Sequence, residues 1–319
     1  MTDVDKARAM VTNHKFLIAG ASVAAAFVIG VVGVGTIWGW SASWGWVSAS
    51  WRLGVDEPAT TSAYPKSIDP PAARLAVAGD VGTGGHAEHA TAASMDNLEA
   101  SGEFDALLLL GDNVYPDGSP ELANSNVLDP FAAVLDGPTE LVAALGNHDV
   151  LTGDGQPLIQ ALGLPGRWYE RRYGPVRVLV VDSTRAGDPD QLAWLRGRLD
   201  ERTDAPWTVV MQHHPPFSAG YHGSDAESLR YLVPLYEEAG VDLVLTGHDH
   251  DYQRSKPQNG VTYVVSGGAS KLRRTARKDF TAVATSTYHF VELAAYEDRL
   301  DVRAVDHDGR VIDSFSLQS

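Results

Sequence analysis

The chain has 319 residues, 44% of them hydrophobic, which allows one domain of roughly 250 residues with appended segments. It contains no cysteine, which excludes disulfide bridges, thiolate metal sites and a lipoprotein anchor. The formal net charge of −16 argues against nucleic acid as a partner, because phosphate backbones are bound by basic surfaces.

The N-terminal segment predicts a membrane anchor. Residues 16–40 carry no charge, and about 20 apolar residues suffice to cross a bilayer core. Tryptophans follow this run like an interfacial belt, and basic residues outnumber acidic ones within residues 1–15. We therefore expect a cytoplasmic N-terminus, a single-pass signal-anchor in the cell membrane, and the rest of the chain outside the cytoplasm. The alternative is a cleaved export signal with Ser41-Ala42-Ser43 as the cleavage site, which would give a secreted protein.

The remaining chain divides into a linker and one predicted domain. Residues 41–73 predict an interfacial segment and a linker, because they are rich in Pro, Thr, Ser and Ala without apolar periodicity. In residues 74–319, apolar strands first alternate with helical stretches and later follow one another through turns. This order predicts an α/β fold with two packed sheets flanked by helices. The predicted helices are Glu88–Ala100, Asp190–Glu201 and Ser228–Ala239, and the late strands are Val261–Ser266, Thr287–Tyr296, Leu300–Val305 and Val311–Leu317.

Five polar clusters follow the apolar runs that predict buried strands. Because the carboxyl ends of parallel strands meet at one edge of a sheet, where open α/β sheets bind ligands, we expect these side chains to converge. Seven or eight oxygen and nitrogen donors are too many for one tetrahedral ion, so the pattern predicts a dinuclear metal site. The clusters are Gly79-Asp80-Val81-Gly82, Gly111-Asp112-Asn113-Val114-Tyr115, Gly146-Asn147-His148-Asp149, Val210-Met211-Gln212-His213 and Gly247-His248-Asp249-His250.

The order and spacing of these motifs resemble those of calcineurin-like metallophosphoesterases. The tyrosine of the second motif is typical of purple acid phosphatases, in particular the small, tartrate-resistant type. The likeness runs from about Leu75 to Gly268 and leaves out the N-terminal segments. It implies a four-layer α/β/β/α sandwich, here preceded by one transmembrane helix, and hydrolysis of phosphate monoesters on two metal ions.

The first motif lacks a histidine that most metallophosphoesterases carry. Their pattern is Asp-x-His, whereas Gly82 occupies the histidine position after Asp80. We interpret Tyr115, three residues beyond Asp112, as the substitute ligand, although a tyrosine beside Pro116 can also pack the loop. Carboxylates and a phenolate form a hard, anionic donor set, which favours a trivalent ion such as Fe(III).

The other donors are less charged and suit a divalent ion, namely Fe, Zn or Mn. Neighbours on a strand face opposite ways, so only one of His213 and His214 can be a ligand. The spacing from Val210 favours His213, and we expect His214 to support the site or pack under Pro215-Pro216. His248 and His250 are two residues apart, so on an extended segment both can contact adjacent ions. The resemblance implies Asp80, Tyr115 and His250 on one ion, Asn147, His213 and His248 on the other, and Asp112 bridging both.

Two such ions can activate a water molecule, hold a phosphate and offset the negative charge of the chain. A metal-bound hydroxide would attack phosphorus, and a histidine free of metal would protonate the leaving alkoxide. His148, beside Asn147, is the first candidate, and the resemblance suggests His222 as the second. The expected substrate is a small-molecule phosphate ester. Phosphodiester or nucleotide hydrolysis on the same metal core is the alternative. A second alternative is a metal-binding module without catalytic turnover, but the intact ligand positions argue against it.

Overall fold

The computed structural model describes residues 70–99 and 102–319. The predicted cytoplasmic segment 1–15, the predicted span 16–40 and most of the linker 41–73 lie outside the described residues. Within the described ranges, no helix has the length and hydrophobicity needed to cross a bilayer.

Two mixed sheets form the centre of the described fold. The strands are, in chain order, β1 (Ala73–Ala78), β2 (Ala106–Leu109), β3 (Glu140–Ala143), β4 (Tyr169–Tyr173), β5 (Val176–Val180), β6 (Trp207–Met211), β7 (Leu243–Thr246), β8 (Tyr252–Ser255), β9 (Thr262–Ser266), β10 (Thr281–Thr285), β11 (His289–Ala295), β12 (Arg299–Asp306) and β13 (Val311–Gln318). The first sheet has the order β13-β12-β11-β1-β2-β3, and the second has the order β10-β8-β9-β7-β6-β5-β4.

The parallel part of each sheet delivers the polar clusters to one edge. Strands β1, β2 and β3 pair in parallel, as do β5, β6, β7 and β9. Strands β1, β2, β6 and β7 are buried along their whole length, which explains their continuous apolar runs. The five motifs of the sequence begin at the carboxyl ends of β1, β2, β3, β6 and β7, so both sheets contribute to the same edge.

Alternating side chains build three apolar layers. Leu75 and Val77 face a core between the two sheets, together with Val209 of the second sheet. The opposite face of the first sheet packs against helix α1 (His86–Glu99) through residues such as Met95. The outer face of the second sheet packs against the helices that follow β5 and β6, through Leu195 and others. The result is the predicted α/β/β/α order of layers.

The remaining helices agree in part with the helix boundaries predicted from the sequence. They are α2 (Gln156–Ala161), α3 (Pro189–Asp200), α4 (Ala226–Tyr231) and α5 (Val233–Ala239). Asp188 caps α3 by accepting hydrogen bonds from two backbone N–H groups, so this helix begins where predicted to within one residue. The helix predicted over Ser228–Ala239 is instead two helices, because a proline in the first turn of α5 cannot continue the hydrogen bonding of α4.

Candidate metal centre

Several site residues have a strained backbone. Asp80, Asp112 and His248 adopt φ values of 57°, 52° and 71°, in the left-handed region that non-glycine residues rarely occupy. Strain of this kind concentrates at functional sites, where surrounding structure holds it in place. Glycines allow the strand ends to approach closely: a Cβ atom on Gly247 would lie 2.6 Å from Oδ2 of Asp80, and one on Gly146 would collide with the backbone of Asp112.

Three donor atoms form a first cluster. The hydroxyl oxygen of Tyr115 lies 3.1 Å from Oδ1 of Asp80 and 3.3 Å from Nε2 of His250. The same Nε2 lies 3.4 Å from Oδ1 of Asp80, which closes a triangle. All three residues are buried. Burial, and next the charge of Asp112, raise the pKa of Asp80 well above its usual range, so an anionic Asp80 calls for a compensating cation.

A second cluster surrounds Nε2 of His213. This atom lies 3.1 Å from Oδ1 of Asn147, 3.2 Å from Nδ1 of His248 and 3.5 Å from Oδ1 of Asp112. Nδ1 of His213 is 2.9 Å from the carbonyl oxygen of Leu110, which can only accept, so the proton sits on Nδ1. The lone pair of Nε2 therefore faces two acceptor oxygens, Oδ1 of Asn147 and Oδ1 of Asp112, an arrangement that a cation stabilises.

Asp112 joins the two clusters. Carboxylate oxygens of Asp80 and Asp112 and a ring nitrogen of His213 all lie within 4.8 Å of one another. The backbone N–H of His148 donates to Oδ1 of Asp112 at 2.9 Å and fixes this carboxylate. The structure thus brings all seven predicted ligands to one edge of the fold, with Asp112 between the two groups.

The donor set fits two metal ions. Two ligand atoms bound to one ion at 2.0–2.2 Å are separated by about 3.0–3.5 Å, and the spacings within both clusters fall in this range. Burial lowers the pKa of His213 well below its usual range, that of His248 to about 2 and that of His250 to about 4. These imidazoles are therefore neutral, as metal ligands must be.

His214 lies beside the second cluster. Strand β6 ends at Met211, so the alternation of a strand does not apply to the bend that contains His213 and His214. The ring of His214 lies 4.6 Å from that of His248, and its Nδ1 is 2.9 Å from Oγ of Ser183. Ring nitrogens of His213, His214 and His248 lie within 4.8 Å of one another. His214 is thus a neighbour of the second cluster, where it can support the site.

The two candidate proton donors differ in their hydrogen bonds. Nδ1 of His148 lies 2.5 Å from the carbonyl oxygen of Pro116 and so carries a proton, while its Nε2 lies 4.0 Å from Oδ2 of Asp112. Nε2 of His222 accepts a hydrogen bond from the guanidinium of Arg273 at 3.0 Å. Burial, with a smaller contribution from Arg273, lowers the pKa of His222.

Buried carboxylates hold the ligand loops in place. Asp149 accepts hydrogen bonds from the backbone N–H groups of Asn113, Val114 and Gly146, which ties the second motif to the third. Asp249 accepts from the hydroxyl of Ser218 and from the backbone N–H of His222, which ties the loop after β6 to the last motif.

A cavity of about 510 Å³ opens over both clusters. Sequence reasoning did not identify Lys271 and Arg273 among its lining residues, although the run Lys271-Leu272-Arg273-Arg274 is a notable basic stretch in an acidic chain. The cavity is lined by Asp112, Tyr115, Asn147, His148, His222, His248, His250, Ser270, Lys271, Leu272, Arg273 and Tyr288.

Comparisons with known proteins agree with this geometry. The family model for calcineurin-like phosphoesterases matches residues 73–252. Purple acid phosphatase 3 of Arabidopsis thaliana is 27% identical over 231 residues, which cover 61% of this chain and 62% of that protein. Human tartrate-resistant acid phosphatase type 5 is 28% identical over 250 residues, covering 65% of this chain and 76% of that protein. The matches cover only 60% and 48% of two further Arabidopsis purple acid phosphatases, numbers 17 and 5.

Solved structures share the fold. The purple acid phosphatase PPD1 from yellow lupin superposes with a TM-score of 0.67 at 19% identity, covering 77% of this chain and 53% of that one. GAP50, the anchor in the inner membrane complex of Plasmodium, superposes with a TM-score of 0.64 at 18% identity, covering 77% and 88%. At these identities the likeness establishes the fold alone.

Proposed function

Because the chain belongs to the calcineurin-like phosphoesterase family, we propose that it hydrolyses small-molecule phosphate monoesters on a dinuclear metal centre. The observation that carries this proposal is the convergence of carboxylate, phenol, amide and imidazole groups in two clusters that share Asp112. In the second cluster the free lone pair of His213 Nε2 faces acceptor oxygens of Asn147 and Asp112, an arrangement that a cation would stabilise.

The ligands divide by charge. The set of Asp80, Tyr115 and His250 is hard and anionic and suits Fe(III), while Asn147, His213 and His248 suit Fe, Zn or Mn as a divalent ion. When bound, the two ions supply Lewis acidity toward phosphoryl oxygens and a nucleophilic water at mildly acidic to neutral pH. Asp112 contributes a carboxylate to both.

His148 is the proton donor for the leaving group in this proposal. The carbonyl of Pro116 engages Nδ1 and holds the ring, so Nε2 faces the cavity beside Asp112. Protonation of Nε2 gives an imidazolium that can transfer a proton to a departing alkoxide. His222 is less suited to this role, because a guanidinium has donors only and occupies the lone pair of Nε2. We assign His222 to orienting Arg273 and contacting bound phosphate.

The location of the enzyme is a further part of the proposal. The uncharged run 16–40, which lies outside the described residues, supports a single-pass anchor with the catalytic domain outside the cytoplasm. Fractionation of cells that express the full chain tests this point. Recovery in the membrane fraction is expected, and a soluble extracellular form that begins near Trp44 would show cleavage instead.

The activity is tested with purified protein loaded with iron and zinc. We expect two ions per chain and release of nitrophenolate from p-nitrophenyl phosphate faster than from its bis-ester. His213→Ala should lose metal and activity, whereas His89→Ala, at an exposed histidine of α1, is the matched control and should keep both. Faster hydrolysis of the bis-ester would establish the diesterase alternative. Two bound ions without any hydrolysis would establish a binding module.

A further inference from the structure

A basic segment lies at the cavity in a chain with a formal net charge of −16. Residues 271–278, between β9 and β10, contain five basic side chains: Lys271, Arg273, Arg274, Arg277 and Lys278. The backbone N–H of Arg273 donates to the carbonyl of His250 at 2.8 Å, and its carbonyl accepts from Oγ of Ser286 at 2.7 Å. These bonds fix the segment beside the last metal-ligand motif.

Two of these cations enter the cavity from different sides. Nζ of Lys271 lies 3.1 Å from the centre of the Tyr115 ring, next to the first cluster. The guanidinium of Arg273 lies 4.5 Å from the centre of the Tyr221 ring and bonds to His222, whose ring is 4.2 Å from that of His248 in the second cluster. Both side chains are half-buried and line the cavity.

In the described part of the chain, neither cation forms a close ion pair with a carboxylate of the protein. Among residues 70–99 and 102–319, no carboxylate oxygen lies within 4.0 Å of Lys271 or Arg273, whereas Arg167 and Arg254, among others, form such pairs. The metal ligands do not require them either. Fe(III) and a divalent ion would together carry five positive charges, which exceed the three negative charges of Asp80, Asp112 and ionised Tyr115. Lys271 and Arg273 would then lie beside a positively charged centre, and additional negative charge on a bound substrate would stabilise them there.

We propose that Lys271 and Arg273 bind a second anionic group of the substrate, a phosphate or a carboxylate carried by the leaving group. The preferred substrate class is therefore a phosphate monoester whose alcohol is itself anionic. This inference rests on the proposed function, because it concerns the part of the substrate that is not transferred. Arg273 offers a planar fork of donors suited to either group, one of which already contacts His222.

The test compares three substrates whose leaving groups each contain three carbon atoms: propyl phosphate, 3-phosphonooxypropionate and 1,3-propanediol bisphosphate. Release of inorganic phosphate gives kcat/KM for each. The metal-loaded wild-type protein should prefer both doubly anionic substrates to propyl phosphate, and the preference should shrink as salt is added. A preference for only one of them identifies the second group as carboxylate or as phosphate.

The variants separate this role from others. Arg273→Gln should reduce kcat/KM by roughly 10- to 100-fold for the preferred substrate and by much less for propyl phosphate. Arg273→Lys should recover part of the loss. Arg274→Gln is the matched control, because this exposed neighbour does not line the cavity. Equal losses on all three substrates would mean that Arg273 binds the transferred phosphate, and would refute the inference.

Equilibrium binding provides a second readout. Calorimetry on the metal-loaded protein should show tighter binding of 3-phosphonopropionate than of propylphosphonate, and Lys271→Gln should reduce the ratio of the two Kd values. Equal Kd values in the wild-type protein, together with no preference for the bisphosphate, would refute the second anionic site while leaving the proposed function intact. Failure to hydrolyse any phosphate ester, p-nitrophenyl phosphate included, would refute the proposed function itself.

Discussion

His289 allows a quantitative prediction about how the free energy of unfolding changes at acidic pH. This residue at the start of β11 is fully buried, and its Nδ1 lies 2.8 Å from the carbonyl of Thr287, which therefore accepts a proton from Nδ1. Its Nε2 accepts from the hydroxyl of Ser266 at 3.0 Å. Burial lowers the pKa of His289 from 6.5 to about 4, so the folded state holds the neutral ring.

The sign and size of the effect follow from this shift. Because the unfolded chain binds the proton more tightly, the contribution of His289 to stability is fully present above pH 6.5 and is lost as the pH falls through about 4. A shift of about 2.5 pKa units corresponds to about 3 kcal/mol. Between pH 7 and pH 5, proton binding to the unfolded chain should lower the free energy of unfolding by about 2 kcal/mol.

The assay is urea unfolding of the wild-type protein and of His289→Gln at pH 5, 6 and 7. Glutamine stays neutral, so the variant should lack this portion of the pH dependence. The difference in unfolding free energy between the two proteins should therefore shrink by about 2 kcal/mol on going from pH 7 to pH 5. The other buried histidines titrate in both proteins and cancel. His89→Gln, at the exposed face of α1, controls for loss of an imidazole. Parallel pH profiles for wild type and His289→Gln would refute the reasoning.

Three further predictions concern the site. Asp112→Ala removes a donor from both clusters, so we expect loss of both ions and of activity, measured by metal analysis beside turnover; retention of two ions would exclude the bridging role. Iron-loaded protein should show a visible phenolate-to-Fe(III) absorption band that Tyr115→Phe abolishes; a band that persists in this variant would exclude Tyr115 as the ligand. His148→Ala should keep both ions and slow hydrolysis of alkyl phosphates by roughly 10²–10⁴-fold, with a smaller loss for p-nitrophenyl phosphate, whose leaving group needs no proton. Equal losses on both would point to phosphate binding by His148.

The strand-end motifs could be predicted because their information is local. An apolar run sets a buried strand, and the polar residue after it, such as Asp80 or Asn147, must lie at the edge of the sheet. Helix α3 was equally predictable, because Leu192, Leu195 and Leu199 repeat with the spacing of one helix face. Strands β4, β8 and β10 were not predicted. Strands β4 and β10 are the edge strands of the second sheet, and all three carry polar residues that hide them from a search for apolar runs.

Contacts that depend on loop conformation could not be predicted from the sequence. The orientation of His214 is set by a bend after β6, which brings its ring to 4.6 Å from that of His248. Lys271 and Arg273 belong to an irregular segment, whose position depends on hydrogen bonds to His250 and Ser286 rather than on periodicity. The donor that Arg273 presents to His222 is a tertiary contact as well, and it separates the two candidate acids in a way that spacing alone could not.

The candidate metal centre lies at the shared edge of the two sheets, so it links the sheets as well as forming a reactive site. Asp80, Asp112 and Asn147 follow strands of the first sheet, whereas His213 and His248 follow strands of the second. An ion held by Asn147 and His213 would therefore connect the two sheets at the edge where their apolar core ends. The free energy of metal binding would then add to the stability of the folded state, in which the two sheets are packed together. Chains made under metal starvation would open first at this edge and be removed by proteases, so the amount of intact protein would follow the supply of metal.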